Sequence, residues 1–145
     1  MDINNVLKAF TITEVANIVD VTPRRLTYWD STGLLKPSLK SASGRGSRRL
    51  YSFQDIVELK IIIRLLSSSL SLQRIRNSLN FMRGLPEPLT DLVIVTDGET
   101  IYVYKGKGLV VDTLRHGQTV LQIVVDDLIA EVEEKMGEFI SVKAG

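Results

Sequence analysis

The sequence predicts an α+β fold in which four short helices and a β-hairpin precede a small antiparallel sheet closed by one helix. Up to residue 84 the apolar residues recur at helical spacing. After residue 91 they fall in β-branched runs, two of which flank Asp97-Gly98, a strong hairpin signal. Between the two patterns, Pro86 and Pro88 cannot continue a helix. We therefore expect one domain over residues 11–84, a linker over 85–91 and a second domain over 92–145.

Charge is distributed unevenly between these two parts. The 145 residues include 18 Lys+Arg and 17 Asp+Glu, for a net charge of +1. Residues 1–84 hold 13 of the basic and 6 of the acidic residues, a difference of +7, whereas residues 85–145 hold 5 and 11, a difference of −6. A basic half of this kind indicates a polyanionic partner for the first part of the chain.

The composition excludes several classes of function. Without cysteine the chain has no disulfides or thiolate-bound metals, and His116 alone cannot build a histidine metal site. It contains no evident set of nucleophile, base and orienting residue, so we expect no enzyme activity, no cofactor and no metal. No apolar run is long enough to span a bilayer and the polar start is unlike a signal peptide, so we expect no membrane partner and a cytoplasmic location.

The first helix is predicted to follow a loosely held arm over residues 1–10. Thr11 and Glu14 have the spacing of a capping box, although Thr13 is an equally good cap. The apolar positions that follow give this helix one buried face. Asp20-Val21 then forms a short turn into a second helix, which is the spacing of a helix-turn-helix.

The second helix is predicted to begin at Pro23, with Thr22 as its cap. Leu26 and Trp29 lie three residues apart, so we expect both in the core. The remaining side chains form a basic and aromatic surface that suits the base edges and backbone of duplex DNA. The candidate DNA-binding residues of this helix are Thr22, Arg24, Arg25, Thr27 and Tyr28.

A wing is predicted to follow. Gly33 stands where a helix C-cap glycine is expected, and the Ser/Gly/Lys/Arg-rich stretch after it indicates a loop. We interpret Lys40 to Tyr51 as a small β-hairpin, in which Arg45, Arg48 and Arg49 neutralise phosphates.

Three further helices and several strands are expected. Ser52-x-x-Asp55 caps a third helix, and Ser71 caps a fourth that stops at Gly84. The fourth helix has Leu72, Ile75, Leu79 and Met82 on one face. The strands are predicted at Leu92–Thr96, Thr100–Tyr104, from Leu109 to Val111 and at Thr119–Val125, with a solvated turn at Lys105-Gly106-Lys107-Gly108. Asp126 or Asp127 caps the closing helix, whose apolar stripe is Leu128, Val132, Met136 and Phe139 or Ile140.

Residues 12–79 resemble the DNA-binding domain of MerR-type transcriptional regulators. The resemblance covers about half of the chain, in the order and spacing of that family. It implies a winged helix-turn-helix that binds a promoter as a dimer, with the helix from Pro23 in the major groove and the Arg48-Arg49 wing along the backbone. The matching segments are Thr13-Glu14-Val15-Ala16, the run from Val21 to Asp30, Gly33-Leu34-Leu35-x-Pro37, Arg49-Leu50-Tyr51-Ser52 and Ser71-Leu72-x-x-Ile75.

Two features depart from the family pattern. Thr27 stands where the family usually has an arginine, which removes one phosphate contact. The family usually continues from the fourth helix into a long dimerising helix, which Gly84 to Pro88 interrupt here. We therefore expect the C-terminal domain to form the dimer.

Three hypotheses follow for the function. The first is a dimeric, sequence-specific transcriptional regulator acting on promoter DNA. The second is an architectural DNA-binding accessory protein of the excisionase kind, and the third is a protein-interaction module centred on the acidic half. For the first, the expected partners are double-stranded DNA, a second copy of the chain and RNA polymerase at the promoter, and a small-molecule effector is left open.

Overall fold

The computed structural model describes residues 8–40, 48–105 and 121–144, with side chains described as far as residue 137. Several predictions lie outside this part of the chain. They are the phosphate contact by Arg45, the turn over residues 106–108, the strand over 109–111 and the packing of Phe139 and Ile140.

The described elements alternate between helices and short strands, which confirms the α+β class. They form two compact units, one of residues up to Lys60 together with those from Ala130 onward, and one of Ile61–Ile129. The domain boundaries expected at residues 84 and 92 stay a prediction. The elements in chain order are β1 (Phe10–Thr11), α1 (Ile12–Val19), α2 (Pro23–Ser31), β2 (Leu50–Tyr51), α3 (Phe53–Leu66), α4 (Leu72–Arg83), β3 (Leu92–Thr96), β4 (Ile101–Lys105), β5 (Leu121–Val124) and α5 (Val125–Ala144), with a 3-10 turn at Leu89–Asp91.

Helix α1 is capped by Thr11. The Thr11 hydroxyl accepts from the Glu14 amide at 3.3 Å, and the Thr11 amide donates to Oε1 of Glu14 at 3.1 Å. This reciprocal pair is the capping box, so the alternative cap at Thr13 is wrong. Phe10 is also not part of a loose arm, because it is 2% exposed and pairs with Tyr51 in an antiparallel ladder. Burial of its ring and the ladder hydrogen bonds hold it in place.

The described ends of the predicted wing are hydrogen-bonded to each other at one position. Lys40 and Leu50 form one antiparallel bridge, with N–O distances of 3.1 and 2.9 Å. Tyr51, expected in the hairpin, instead pairs with Phe10 of β1. The chain after the wing is therefore bonded to the segment before α1.

Helices α3 and α4 begin at the predicted caps. The Ser52 hydroxyl accepts from the Asp55 amide at 3.1 Å, and the Ser71 hydroxyl accepts from the Arg74 amide at 3.2 Å. Helix α4 ends at Arg83 with Gly84 as its C-cap, as expected. Of the four apolar residues on one face of α4, Ile75, Leu79 and Met82 are buried and Leu72, at the first position of the helix, is 36% exposed.

The sheet of the second unit has the strand order β4-β3-β5, with both pairs antiparallel. All five residues of β3 are buried, as expected for a central strand. The predicted hairpin at Asp97-Gly98 is confirmed, with Gly98 at a φ of +95°. Oδ1 of Asp97 accepts from the amides of Thr100 at 2.7 Å and Glu99 at 2.9 Å, which lowers the pKa of the Asp97 carboxyl.

Helix α5 follows β5 without an intervening residue, so the expected cap at Asp126 or Asp127 is wrong. Both carboxylates lie in the first turn instead, where their negative charge interacts favourably with the helix dipole and stabilises the helix. The predicted stripe residues Leu128, Val132 and Met136 are 1–3% exposed. No helix among the described residues is long and apolar enough to cross a membrane.

Candidate nucleic-acid interface

Helix α2 is fixed at its start by a side-chain cap. The Thr22 hydroxyl accepts from the Arg25 amide at 3.2 Å, and Pro23 occupies the first turn, where no amide donor is needed. The Thr27 hydroxyl donates back to the Pro23 carbonyl at 3.0 Å. Both threonine side chains named as DNA-binding candidates thus bond the backbone of their own helix.

One side of α2 is buried in the core and the other is exposed to solvent. Leu26 is 1% exposed and Trp29 is 2% exposed, which confirms that both belong to the core. Arg24 and Arg25 are exposed, and the ring of Tyr28 is 56% exposed. Burial of the indole and the leucine fixes the rotation of the helix, so the arginines and the phenol are presented to solvent.

Arg25 does not extend freely into solvent. Its guanidinium lies over the Trp29 ring, 4.9 Å from the centroid. A cation–π contact at an exposed site contributes about 0.5–1 kcal/mol and limits the rotamers of the arginine. The contact thereby restrains the guanidinium beside the buried indole.

The wing places its two described arginines in different environments. Arg48 is exposed. The Arg49 side chain is 25% exposed, and its Nε donates to Oδ2 of Asp30 at 2.7 Å. Asp30 lies on α2 with a side chain that is only 10% exposed, so this ion pair joins the residue just before strand β2 to helix α2.

Asp30 has a second cationic partner. Lys36 Nζ lies 3.4 Å from Oδ1 of Asp30 and also donates to the Asp30 carbonyl at 3.1 Å. The Lys36 side chain is 64% exposed, so solvent screens this pair far more than the pair with Arg49.

A second buried carboxylate holds the other side of the wing. Oδ2 of Asp55 accepts from the Ser38 amide at 2.9 Å, the Ser38 hydroxyl at 2.8 Å and the Ser52 amide at 2.9 Å. These bonds attach the segment before the wing to the start of α3. Both chain segments that enter and leave the wing are therefore anchored to a helix.

Tyr51 lies close to both carboxylates. It is fully buried, and its hydroxyl has no hydrogen-bond partner among the described residues. Burial raises the pKa of Tyr51 to about 12, the charges of Asp30 and Asp55 act in the same direction, and the charge of Arg49 opposes them.

Sequence reasoning missed the anchoring function of Asp30, Ser38 and Asp55. The sequence indicates Asp55 only as a helix-capping residue and indicates no function for Asp30. Asp30 directly follows the core residue Trp29, and a buried carboxylate is usually paired with a cation, so this neighbourhood was the available signal. The sequence could not show which of the many arginines supplies it.

Residues 10–81 match the sequence model of the MerR HTH family regulatory protein. They form a MerR-family helix-turn-helix domain. The described residues of the candidate interface lie within this MerR domain, as does α4 as far as Phe81.

Uncharacterized HTH-type transcriptional regulators from Mycobacterium tuberculosis and Mycobacterium bovis are each 40% identical to the chain over 124 residues. The match covers 84% of this chain and 55% of each relative, so the chain spans about half the length of the curated relatives it matches. The family and relative names are those of transcriptional regulators.

A crystal structure of a MerR-family transcriptional regulator from Bacillus cereus is 34% identical to the chain. The match covers 52% of this chain and 60% of that one, with a TM-score of 0.42. In the part of the chain that the structure describes, no three His, Cys, Asp or Glu side chains are grouped to hold a metal ion.

Proposed function

We propose that this chain is a sequence-specific DNA-binding transcriptional regulator that acts as a dimer on promoter DNA. The observation that carries the proposal is the exposed surface of α2 in the MerR domain. It presents Arg24, Arg25 and Tyr28 to solvent on a helix whose rotation is fixed by buried Leu26 and Trp29. Such a helix can lie in the major groove with its first turn on the base edges.

In this proposal each candidate residue has a stated role. Arg24 and Arg25 reach base edges or phosphates from the first turn of α2, and Tyr28 donates its phenol to a phosphate. Arg48, which is exposed, neutralises a phosphate from the wing. Thr22 and Thr27 contribute through hydroxyls that already bond the helix backbone.

The dimer is assigned to the part of the chain after residue 91. Helix α4 ends at Arg83 and is followed by the two prolines, so it does not extend into a long dimerising helix. RNA polymerase at the promoter is the further partner that a regulator of this family requires to affect transcription.

Fluorescence anisotropy tests the proposal. The full chain is titrated against duplexes from the intergenic DNA upstream of its own gene and against scrambled duplexes of equal length and composition. A specificity ratio of about a thousand or more is expected for a regulator. Near-equal binding would contradict it and indicate an architectural binder, and no binding at low salt would indicate a protein-interaction module.

A further inference from the structure

The two neighbouring arginines of α2 differ in how firmly their side chains are held. Arg24 and Arg25 occupy the second and third positions of the helix, and both are exposed. The Arg24 side chain forms no hydrogen bond, ion pair or ring contact with any described residue. The Arg25 guanidinium lies over the Trp29 ring, with Cζ 4.9 Å from the ring centroid. The two residues therefore carry the same charge with different freedom to move.

Arg25 is held at its backbone as well as at its guanidinium. Its amide donates to the Thr22 hydroxyl at 3.2 Å, which fixes the first turn of α2. The Trp29 ring is 2% exposed, so close packing in the core limits its movement. A long side chain that is already restrained loses less conformational entropy when it binds a ligand. Of the two arginines, Arg25 is thus the one prepared for a contact that demands a fixed orientation.

Stacking on Trp29 leaves the hydrogen-bond donors of Arg25 available. An aromatic ring engages the flat face of a guanidinium, whereas the N–H groups project outward in its plane. Two parallel hydrogen bonds to one base require that plane to be correctly oriented. In the major groove the guanine edge presents two acceptors, N7 and O6, which match the arginine fork. A phosphate is a charge repeated at every nucleotide, so a mobile arginine such as Arg24 can neutralise it.

We propose that Arg25 reads a guanine in the major groove, that Trp29 is the positioning residue which holds its guanidinium, and that Arg24 contacts a phosphate. The inference rests on the proposed DNA-binding function, which leaves base edges and phosphates open to both arginines. It makes Arg25 the specificity-determining residue of α2. It also gives the buried tryptophan a function besides its place in the core.

Selection from a library of randomised duplexes tests the division between the two arginines. The full chain, Arg24→Ala and Arg25→Ala are each used to enrich duplexes, which are then sequenced. We expect the parent chain to select a site in which one guanine per half-site is preferred by about tenfold or more. Arg25→Ala should lose that preference and keep the others. Arg24→Ala should keep every preference and weaken binding by the same factor on selected and scrambled duplexes.

The selection distinguishes failure of this inference from failure of the proposed function. A parent chain that enriches no site would overturn both, because no base is then read. A parent chain that enriches a site whose preferences all survive in Arg25→Ala would overturn the inference alone. Loss of the guanine preference in Arg24→Ala would exchange the two roles and overturn it as well.

The positioning role of Trp29 is tested with fluorinated tryptophan. Trp29 is the only tryptophan in the sequence, so an analogue supplied during expression enters at this position alone. Fluorine withdraws electron density from the indole face and weakens its attraction for a cation, while the size of the ring changes little. We expect a trifluorinated ring to weaken binding to the selected site about two- to fivefold, because the freed Arg25 side chain must then be immobilised on binding. Binding to scrambled duplex should be unchanged.

The same fluorination of the Arg25→Ala chain is the matched control. Without a guanidinium over the ring, fluorination should leave the affinity of this variant for the selected site unchanged. An equal loss in the parent and Arg25→Ala chains would show that the ring acts only through packing of the helix, which would overturn the positioning role. An unchanged affinity of the fluorinated parent chain would overturn it too.

Discussion

Arg49 donates from Nε to Oδ2 of Asp30 at 2.7 Å, and this pair joins the chain segment just before β2 to α2, the helix that carries the candidate base-reading residues. The other end of the wing is fixed by Asp55, which accepts from both the amide and the hydroxyl of Ser38. The segments that enter and leave the wing are therefore attached to the helices by two buried carboxylates, Asp55 and Asp30.

We expect Asp30→Asn to lower the free energy of unfolding by about 2–4 kcal/mol. Breaking one partner of a buried pair leaves the other charge uncompensated, and the Arg49 side chain is only 25% exposed. Urea denaturation measures the change. Lys36→Gln is the matched control, because it removes the other cation of Asp30 at a site that is 64% exposed and should cost about 0–1 kcal/mol. Equal losses for the two variants would contradict the assigned importance of the Arg49 pair.

Salt dependence should separate the two described arginines of the wing. Arg48 is exposed, so Arg48→Ala is expected to weaken DNA binding by the same factor on specific and scrambled duplexes. It should also reduce the slope of the logarithm of the DNA-binding constant against the logarithm of the salt concentration by about one unit. Arg49→Ala should weaken binding with a smaller change in slope, because its guanidinium already faces a carboxylate. Anisotropy titrations between low and moderate salt measure both slopes. An unchanged slope for Arg48→Ala would remove Arg48 from the phosphate contacts.

The arginines of α2 should affect discrimination between sites. If either residue reads a base, Arg24→Ala or Arg25→Ala should cost about 1–3 kcal/mol on the specific duplex and much less on a scrambled one. Arg25→Lys keeps the charge but loses the fork geometry that allows bidentate contact with a base, so it should behave like Arg25→Ala in discrimination. Equal weakening on both duplexes would assign these residues to phosphates.

Features set by neighbouring residues could be predicted from the sequence. The caps at Thr22, Ser52 and Ser71 and the core position of Trp29 depend only on residues within one helical turn, and all four predictions are confirmed. The predicted cap of the closing helix is wrong because β5 runs directly into this helix. Asp126 and Asp127 therefore lie inside its first turn.

Features set by distant residues could not be predicted. The Asp30–Arg49 pair spans 19 positions, and several arginines were available to the carboxylate. Likewise, the pairing of Phe10 with Tyr51 joins segments about 40 residues apart that carry no mutual signal in the sequence. Which exposed side chains touch DNA stays a prediction, since residue type and exposure alone do not distinguish a phosphate contact from a solvated arginine.

Tyr51 should make the stability of the chain fall in alkaline solution. Burial raises the pKa of Tyr51 from 10.0 to about 12, so between these values the unfolded chain has lost a proton that the folded chain keeps. The free energy of unfolding therefore decreases as the pH rises from about 10 to about 12, by about 2–3 kcal/mol for this group. Tyr51→Phe should remove this part of the decrease.

Urea denaturation at pH 8, 10 and 11.5 measures the difference between the parent chain and Tyr51→Phe. At the lowest pH the variant should be as stable as the parent or more stable by up to about 1 kcal/mol, because it removes a buried hydroxyl that has no partner among the described residues. Tyr28→Phe, which removes the hydroxyl of a ring that is 56% exposed, is the control for general alkaline effects. Parallel curves for the parent and Tyr51→Phe would show that the Tyr51 hydroxyl does not keep its proton on folding.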